Sequence, residues 1–293
     1  MKLSNLKTIV LALSTLWGAS YLSACSLFSQ NPVLAVPRQI SYNDELKLSQ
    51  LSQKFYDKSL TQEQKMQIFY QRGVLYESLG FHAFAQNDLS QVLNYDPGNA
   101  DIYNYFGIFA MQDDDYNGAY TAFNMALELD PDYQFAYINR AISLYRNQRY
   151  DLALVDAVKF YNYEPNDPIR ALWVYLIEEQ LDKKQAFKAL QHRYELLEDK
   201  TTTGSETVAF YLGQISEKKL MTNLQRNAKS NNELAERLCE TYFYLGKYYQ
   251  SKGDIKRAEV LFKYALANNV YNYLEHQQAL FELKQHTTEE KTE

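Results

Sequence analysis

The stretch Ala100–Tyr133, ADIYNYFGIFAMQDDDYNGAYTAFNMALELDPDY, carries the architecture of the whole chain. Counted from Ala100, it places Tyr103, Phe106, Gly107, Ala119, Phe123, Ala126 and Pro131 at positions 4, 7, 8, 20, 24, 27 and 32. The same grid fits on both sides. From Met66 it meets Gly73, Tyr76, Ala85, Leu89, Val92 and Pro97. From Gln134 it meets Tyr137, Ala141, Leu144, Ala153, Ala157, Phe160 and Pro165. Small residues at 8 and 20 let two antiparallel helices approach closely, and larger residues at 4, 7, 11 and 24 fill the space between them. Proline at 32 follows the second helix because it lacks an N–H and clashes with the preceding turn. A unit of this length, repeated in register, is a solenoid of helix pairs, an architecture that serves binding before catalysis.

This grid resembles the tetratricopeptide (TPR) repeat. The expected fold is all-α: a TPR-type helical-hairpin solenoid with an N-terminal helix, an irregular helical insert and a C-terminal capping helix. The solenoid is expected over residues 41–284, with repeats at about 66–99, 100–133 and 134–167. A degenerate copy at 168–199 carries Trp173, Val174, Ala186 and Leu190 without a closing proline. Residues 200–238 break the period, with loops at Lys200–Gly204 and Asn227–Asn232 around short helices at Ser205–Gly213 and Glu217–Arg226. A further repeat, 239–272, restores it through Tyr242, Leu245, Gly246, Tyr249, Gly253, Ala258, Phe262 and Ala265. Val270–Lys284 reads as a helix covering the open end, and the polar stretch 285–293 reads as disordered.

Residues 1–24 read as an export signal. Lys2 and Lys7 precede an uncharged, mainly apolar run from Ile9 to Leu22 that falls short of a membrane span. The ending Leu22, Ser23, Ala24, Cys25 resembles the bacterial lipobox, which implies cleavage before Cys25 and a covalent lipid on its sulfur and new amine. Two or more acyl chains hold a protein stably at a membrane. Ser26 rather than Asp after the lipid site implies the outer membrane, facing the periplasm. Residues 25–40, with Pro32 and Pro37, read as an extended tether whose first 15 or so residues reach roughly 50 Å at ~3.3 Å each.

The chain of 293 residues has a net charge of −6. Loss of residues 1–24 leaves 28 basic against 36 acidic residues, net −8. An acidic body argues against nucleic acid and against broad binding to anionic lipid. With Cys25 lipidated, Cys239 has no partner in the chain and reads as a buried, inert thiol.

No phosphate loop, zinc-protease, serine-hydrolase or paired-cysteine motif is present. His82, His192, His276 and His286 are scattered. Asp113, Asp114 and Asp115 sit at a helix–helix turn, without the glycine and bidentate glutamate of a calcium loop; helix capping is the better account. Thr61 and Gln64 have capping-box spacing. No catalytic residue, metal site or cofactor is expected beyond the lipid.

Binding surfaces remain. In TPR folds the first helix of each repeat lines a concave groove through positions 2, 5, 9, 12 and 13. Candidate groove residues are Tyr70, Val74 and Glu77, then Asn104, Ile108 and Met111, then Ile138, Ile142 and Tyr145. The set is apolar and aromatic with few charges. Tyr70 and Val74 stand where carboxylate-clamp TPR domains carry Lys and Asn, so an apolar anchor is expected instead. Asn43–Lys58 puts Leu48, Leu51 and Phe55 on one helical face, which either covers the first repeat or packs on a second subunit.

Several longer segments resemble the NlpI family of gram-negative envelope TPR lipoproteins: Val33–Pro37 (VLAVP), Tyr70–Gly80 (YQRGVLYESLG), Pro165–Leu176 (PNDPIRALWVYL), Tyr242–Tyr249 (YFYLGKYY) and Ala267–His276 (ANNVYNYLEH). The resemblance implies a homodimeric, non-catalytic adaptor. Its partners would be the periplasmic tail-specific protease Prc and murein hydrolases such as MepS, with control of cell-wall cleavage during growth and division as the outcome. A TPR lipoprotein that assists outer-membrane protein or pilus secretin assembly, an enzyme acting on peptidoglycan, and a plain tether between membrane and wall are the rival readings.

Overall fold

The computed structural model describes residues 32–289, and among them all regular structure is helical. In chain order the helices are α1 (Tyr42–Lys54), α2 (Gln62–Ser78), α3 (His82–Val92), α4 (Ala100–Gln112), α5 (Tyr116–Leu129), α6 (Gln134–Arg146) and α7 (Tyr150–Tyr163). They continue as α8 (Pro168–Leu181), α9 (Lys183–Leu196), α10 (Thr203–Tyr211), α11 (Glu217–Asn227), α12 (Asn231–Ser251), α13 (Ile255–Leu266) and α14 (Leu274–Glu289). From Leu34 onward the chain forms one unit. Helices α2–α3, α4–α5, α6–α7, α8–α9 and α12–α13 pack as consecutive pairs; the first four stack on one another through contacts such as α5 on α6 and α7 on α8, and α10 links α8 to α12.

The repeat grid has a physical reason at each position. At position 8, a Cβ added to Gly107 or Gly246 would run into the ring of Phe123 or Phe262, and one added to Gly73 would meet Leu89. In the third repeat the partners are Ala141 and Ala157, both fully buried. Position 15 turns the first helix into the second. Gly80, Asp114, Gln148 and Gly253 all have φ between 57° and 81°. In each case the next amide reaches back five residues: Phe81 to the Tyr76 carbonyl, Asp115 to Ala110, Arg149 to Leu144 and Asp254 to Tyr249. These are helix caps that require a left-handed residue. The closing loops are also repeated. Tyr103 and Tyr137, both at position 4, donate their hydroxyls to the Pro97 and Pro131 carbonyls at 3.1 and 3.0 Å.

Positions 7 and 23 alternate in chemistry. Arg72 grips Asp88 and Arg140 grips Asp156 through two nitrogens each, at 2.5 to 2.9 Å. Asp88 and Asp156 are buried. In the second repeat the same positions hold Phe106 and Ala122, and in the last they hold Leu245 and Leu261. The pairing is therefore either a bidentate ion pair or an apolar contact, which keeps the interface matched either way.

Several element boundaries differ from the sequence reading. The stretch 200–238 breaks the period as an insert of two short helices and is packed into the stack: α10 packs against both α8 and α12, and α11 packs against α10 and α12. Val208, Leu220 and Leu224 are fully buried there. Helix α12 runs unbroken through residue 239, because no Gly or Pro lies between Asn231 and Leu245 and because Ala235, Leu238 and Cys239 are buried on one face. The last helix starts at Leu274 rather than Val270, and it continues to Glu289, so residues 285–289 are helical rather than disordered. Nothing in Gln285–Glu289 breaks a helix that Gln278 and Glu282 already anchor. The N-terminal helix ends at Lys54, four residues early. Its Leu51 is buried, and Phe55 lies under the Arg72 guanidinium at 4.7 Å, so α1 covers the first repeat.

The expected tether is attached through part of its length. Asn231 on α12 bonds both the N–H and the C=O of Val36, at 2.8 and 2.7 Å. The Arg38 N–H donates to the Asn268 carbonyl at 3.1 Å. Residues 36–38 thus belong to the folded body. Leu22, Ser23, Ala24 and Cys25 lie outside the described residues.

Removing Arg140 leaves Asp156 buried without its partner. Arg140→Ala is expected to cost about 3 kcal/mol, read as a lower urea midpoint. The double variant Arg140→Phe/Asp156→Ala copies the second repeat and is expected to recover at least half of that loss. Gln148→Gly is expected to stabilise by about 0.5–1 kcal/mol, because glycine adopts a φ of 57° without strain.

Candidate functional site

The inner face of the solenoid is made by α2, α4, α6 and α8, and it is not left open. Helix α14 packs on α12 and α13 and also reaches the earlier repeats. Gln278 accepts two bonds from the Arg146 guanidinium, one of them at 2.8 Å. Lys284 donates to the Gln112 carbonyl at 3.1 Å. The Phe281 ring meets Tyr116 edge-on, with centroids 6.1 Å apart. At the start of the helix, Glu275 accepts from Trp173 Nε1 at 3.3 Å and from the Tyr244 hydroxyl at 2.9 Å. A buried ion pair, Lys247 to Glu282 at 2.9 Å, fixes its middle to α12. The helix is both an end cap and a bar across the concave face.

This bar divides the nine groove candidates. Val74, Glu77, Asn104, Ile108 and Ile138 line one cavity of about 490 Å³. Tyr70 stands at its edge, donating its hydroxyl to Asp101 at 2.5 Å. Met111 lines a smaller cavity of about 200 Å³, closed by Tyr271, His276 and Phe281. Tyr145 lines a polar cavity of about 370 Å³ beside Lys247 and Glu282. Ile142 has no exposed surface. The groove is thus three compartments, and the first has the most candidates.

That compartment is more acidic than the sequence reading suggested. Asp101 accepts from Tyr70 and also from Tyr133, which comes from the loop before α6. Glu77 is buried and holds the His82 ring nitrogen at 2.9 Å through one oxygen. That bond raises the His82 pKa above its ordinary value. Burial, with Asp101 and Tyr70 nearby, raises the Tyr105 hydroxyl far above its ordinary value, so it stays protonated. Asn139 donates to Asn104 at 2.9 Å across the repeat boundary, and both are buried. Arg170 donates to the Phe160 carbonyl and Glu164, lies 3.4 Å from Asp167 and covers the Phe160 ring, and its buried Nε makes no hydrogen bond.

Sequence reasoning missed Tyr133, Asn139, Arg170, Trp173, Tyr273 and Glu275 as cavity lining. Asn104 and Asn139 stand 35 residues apart, a near-period signal that was available. The contribution of Tyr273 and Glu275 was not legible, because it depends on a chain reversal after α13. Cys239 is buried, and burial pushes its thiol well above the usual range. Asp115 caps α5 by accepting from the Gly118 N–H at 2.9 Å, and Asp114 holds the left-handed turn. Among the described residues no group of three or more His, Cys, Asp or Glu side chains is arranged to hold a metal ion. None of their helices is long and apolar enough to cross a membrane.

These helix pairs, with their 34-residue grid, define a TPR-type solenoid. Solved structures agree with that fold. A tetratricopeptide repeat protein from Parabacteroides merdae aligns over 81% of this chain and 90% of its own, with 16% identity and a TM-score of 0.50. The Rap conjugation gene regulator of the plasmid pLS20, solved in complex with the Phr* peptide, aligns over 82% of this chain and 70% of its own, with 16% identity and a TM-score of 0.55. No family model matches the chain.

Glu275, which is buried, and Glu240, which is partly exposed, form an acidic pair behind the cavity. Burial first, and the Glu275 charge second, push the Glu240 carboxyl from 4.5 up to about 8. Glu275 is raised as well, mainly by burial. Below about pH 4.5 Glu240 is protonated in both folded and unfolded chains, and stability is fully present. As pH rises from there to about 8, the unfolded chain has released a proton that the fold retains, and stability is lost across that window. Glu240→Gln removes the Glu240 share of this dependence and leaves that of Glu275. Thermal unfolding at pH 8.5 is expected to show a higher Tm for the variant than for the parent, with the difference vanishing near pH 4.5.

Proposed function

We propose that this protein is a non-catalytic envelope adaptor, anchored to the outer membrane by lipid on Cys25 and facing the periplasm. It binds a periplasmic tail-specific protease of the Prc type and murein hydrolases such as MepS, and it regulates cell-wall degradation by holding protease and hydrolase together. The observation that carries this reading is the rigid TPR-type solenoid with an inner cavity whose polar side chains are incompletely paired. The resemblance of five segments to the NlpI family supplies the partners. The Rap regulator, similar in fold, was solved with a peptide, which supports a polypeptide as the occupant here.

A rigid body with two binding surfaces makes the second encounter effectively intramolecular, and membrane anchoring adds confinement. The first surface of this reading is the cavity between α2, α4 and α6. The second is the α10–α11 pair, where Glu217 holds Tyr249 and Arg257 at 2.6 Å each and fixes the insert to the last repeat. A homodimer would use the outer face of α1, where Tyr42 and Leu46 are exposed.

Crosslinked capture from envelope extract with purified full-length protein, read by mass spectrometry, tests the reading. Joint recovery of the protease and a wall hydrolase is expected. Recovery of barrel-assembly or secretin components alone, or of no protein, would refute the adaptor role and leave the fold untouched.

A further inference from the structure

The cavity between the first three repeats and the C-terminal segment is lined by carboxylates that are incompletely paired among the described residues: His82 meets one oxygen of Glu77 at 2.9 Å, and Asp101 meets only hydroxyls. Arg170 is the lysine or arginine in its lining. Two of its nitrogens donate to the Phe160 carbonyl and Glu164, while its Nε lies 3.4 Å from Asp167 without a hydrogen bond. Asp101 meets the hydroxyls of Tyr70 and Tyr133 and has no ion-pair partner among the described residues. Glu77 is 5% exposed, and one of its oxygens, Oε1, has no hydrogen-bond partner. A buried carboxylate oxygen without a donor is costly, and a bound donor removes that cost.

The other side chains point to the same chemistry. Asn104 and Asn139 are 5% and 7% exposed and share a single bond. Whichever way each amide is turned, one N–H donor set and one carbonyl acceptor remain for a guest, which is what one backbone peptide unit requires. Aromatic rings of Tyr105, Tyr133, Phe160 and Trp173 wall the cavity. One of these already takes a cation, since the Arg170 guanidinium lies 4.1 Å from the Phe160 centroid. The volume of about 490 Å³ accepts a long side chain with a short run of backbone.

We infer that this cavity receives a lysine or arginine side chain from an extended segment of a partner polypeptide, with Asp101 and Glu77 as its counter-charges and the Asn104–Asn139 pair on its backbone. The inference rests on the reading of the cavity as a protein-binding surface and names what that surface selects. An anionic guest meets Asp101 and Glu77, and an apolar one leaves the Glu77 oxygen unpaired, so selection is built from loss as well as gain.

The test titrates full-length protein with four short fluorescein-labelled peptides, acetylated and amidated, in one Gly/Ser/Ala background. They carry lysine, arginine, norleucine or glutamate at the centre, and anisotropy is followed up to about 1 mM. Lysine and arginine peptides are expected to bind about tenfold or more tightly than norleucine. That preference is expected to fall to about twofold or less in Glu77→Gln and in Asp101→Asn, with unchanged circular dichroism. If Asp101→Asn unfolds because Tyr70 and Tyr133 lose their acceptor, Glu77→Gln decides alone. Equal binding of norleucine, no binding of any peptide, or a preference that survives in every folded variant overturns the inference. Capture of protease and hydrolase is scored apart from this, so the adaptor reading can stand while the inference falls.

Discussion

The close approach of the two helices within each pair governs the rest of this structure. Gly107 lies against the ring of Phe123 and Gly246 against Phe262, where a single methyl group would clash. A pair packed this closely buries its large residues between its own helices and leaves a second apolar face for the next pair. Stacking then follows, and each pair depends on its neighbours for stability. The left-handed residue at position 15 fixes the hairpin, and the alternation of Arg–Asp with apolar pairs at positions 7 and 23 fits each hairpin internally. The inner face formed by α2, α4, α6 and α8 is a consequence of that stacking.

What the solenoid makes of its inner face depends on α14. A bare concave surface would be one continuous groove. Contacts from Glu275, Gln278, Phe281 and Lys284 divide it into compartments of different chemistry. The compartment nearest the first repeats keeps Asp101, Glu77 and the asparagine pair, and it is the largest of the three. The one beside it is more apolar and is closed by Phe281 and Tyr271. The same helix therefore stabilises the last repeat and decides which part of the groove remains for a guest. The attachment of Val36 to α12 and of Arg38 to the loop after α13 brings the N-terminal stretch onto that same final repeat.

The helix pairs were legible in the sequence because their rules are local. Gly107, Phe123 and Pro131 each act within one repeat, and a period of 34 exposes them. The caps at Thr61 and Asp115 were legible for the same reason, since capping acts over three residues. Other features depend on contacts far apart in the chain. The Arg146–Gln278 contact spans 132 residues and the Asn231–Val36 contact 195, and no spacing rule foretells either. Asp101 shows the same limit. It sits at position 2 of its repeat, but its role comes from Tyr70 in the repeat before and from Tyr133 at the far end of its own repeat.

The most direct test of the central claim, that the inner cavity holds a partner polypeptide, is photocrosslinking in cells. A benzophenone amino acid is placed at Phe135, an exposed residue of the cavity lining, and a second at Val155, an exposed position outside it. The account predicts crosslinks from position 135 to another protein and few or none from 155. Crosslinks from 155 alone, or the same products from both positions, would contradict it.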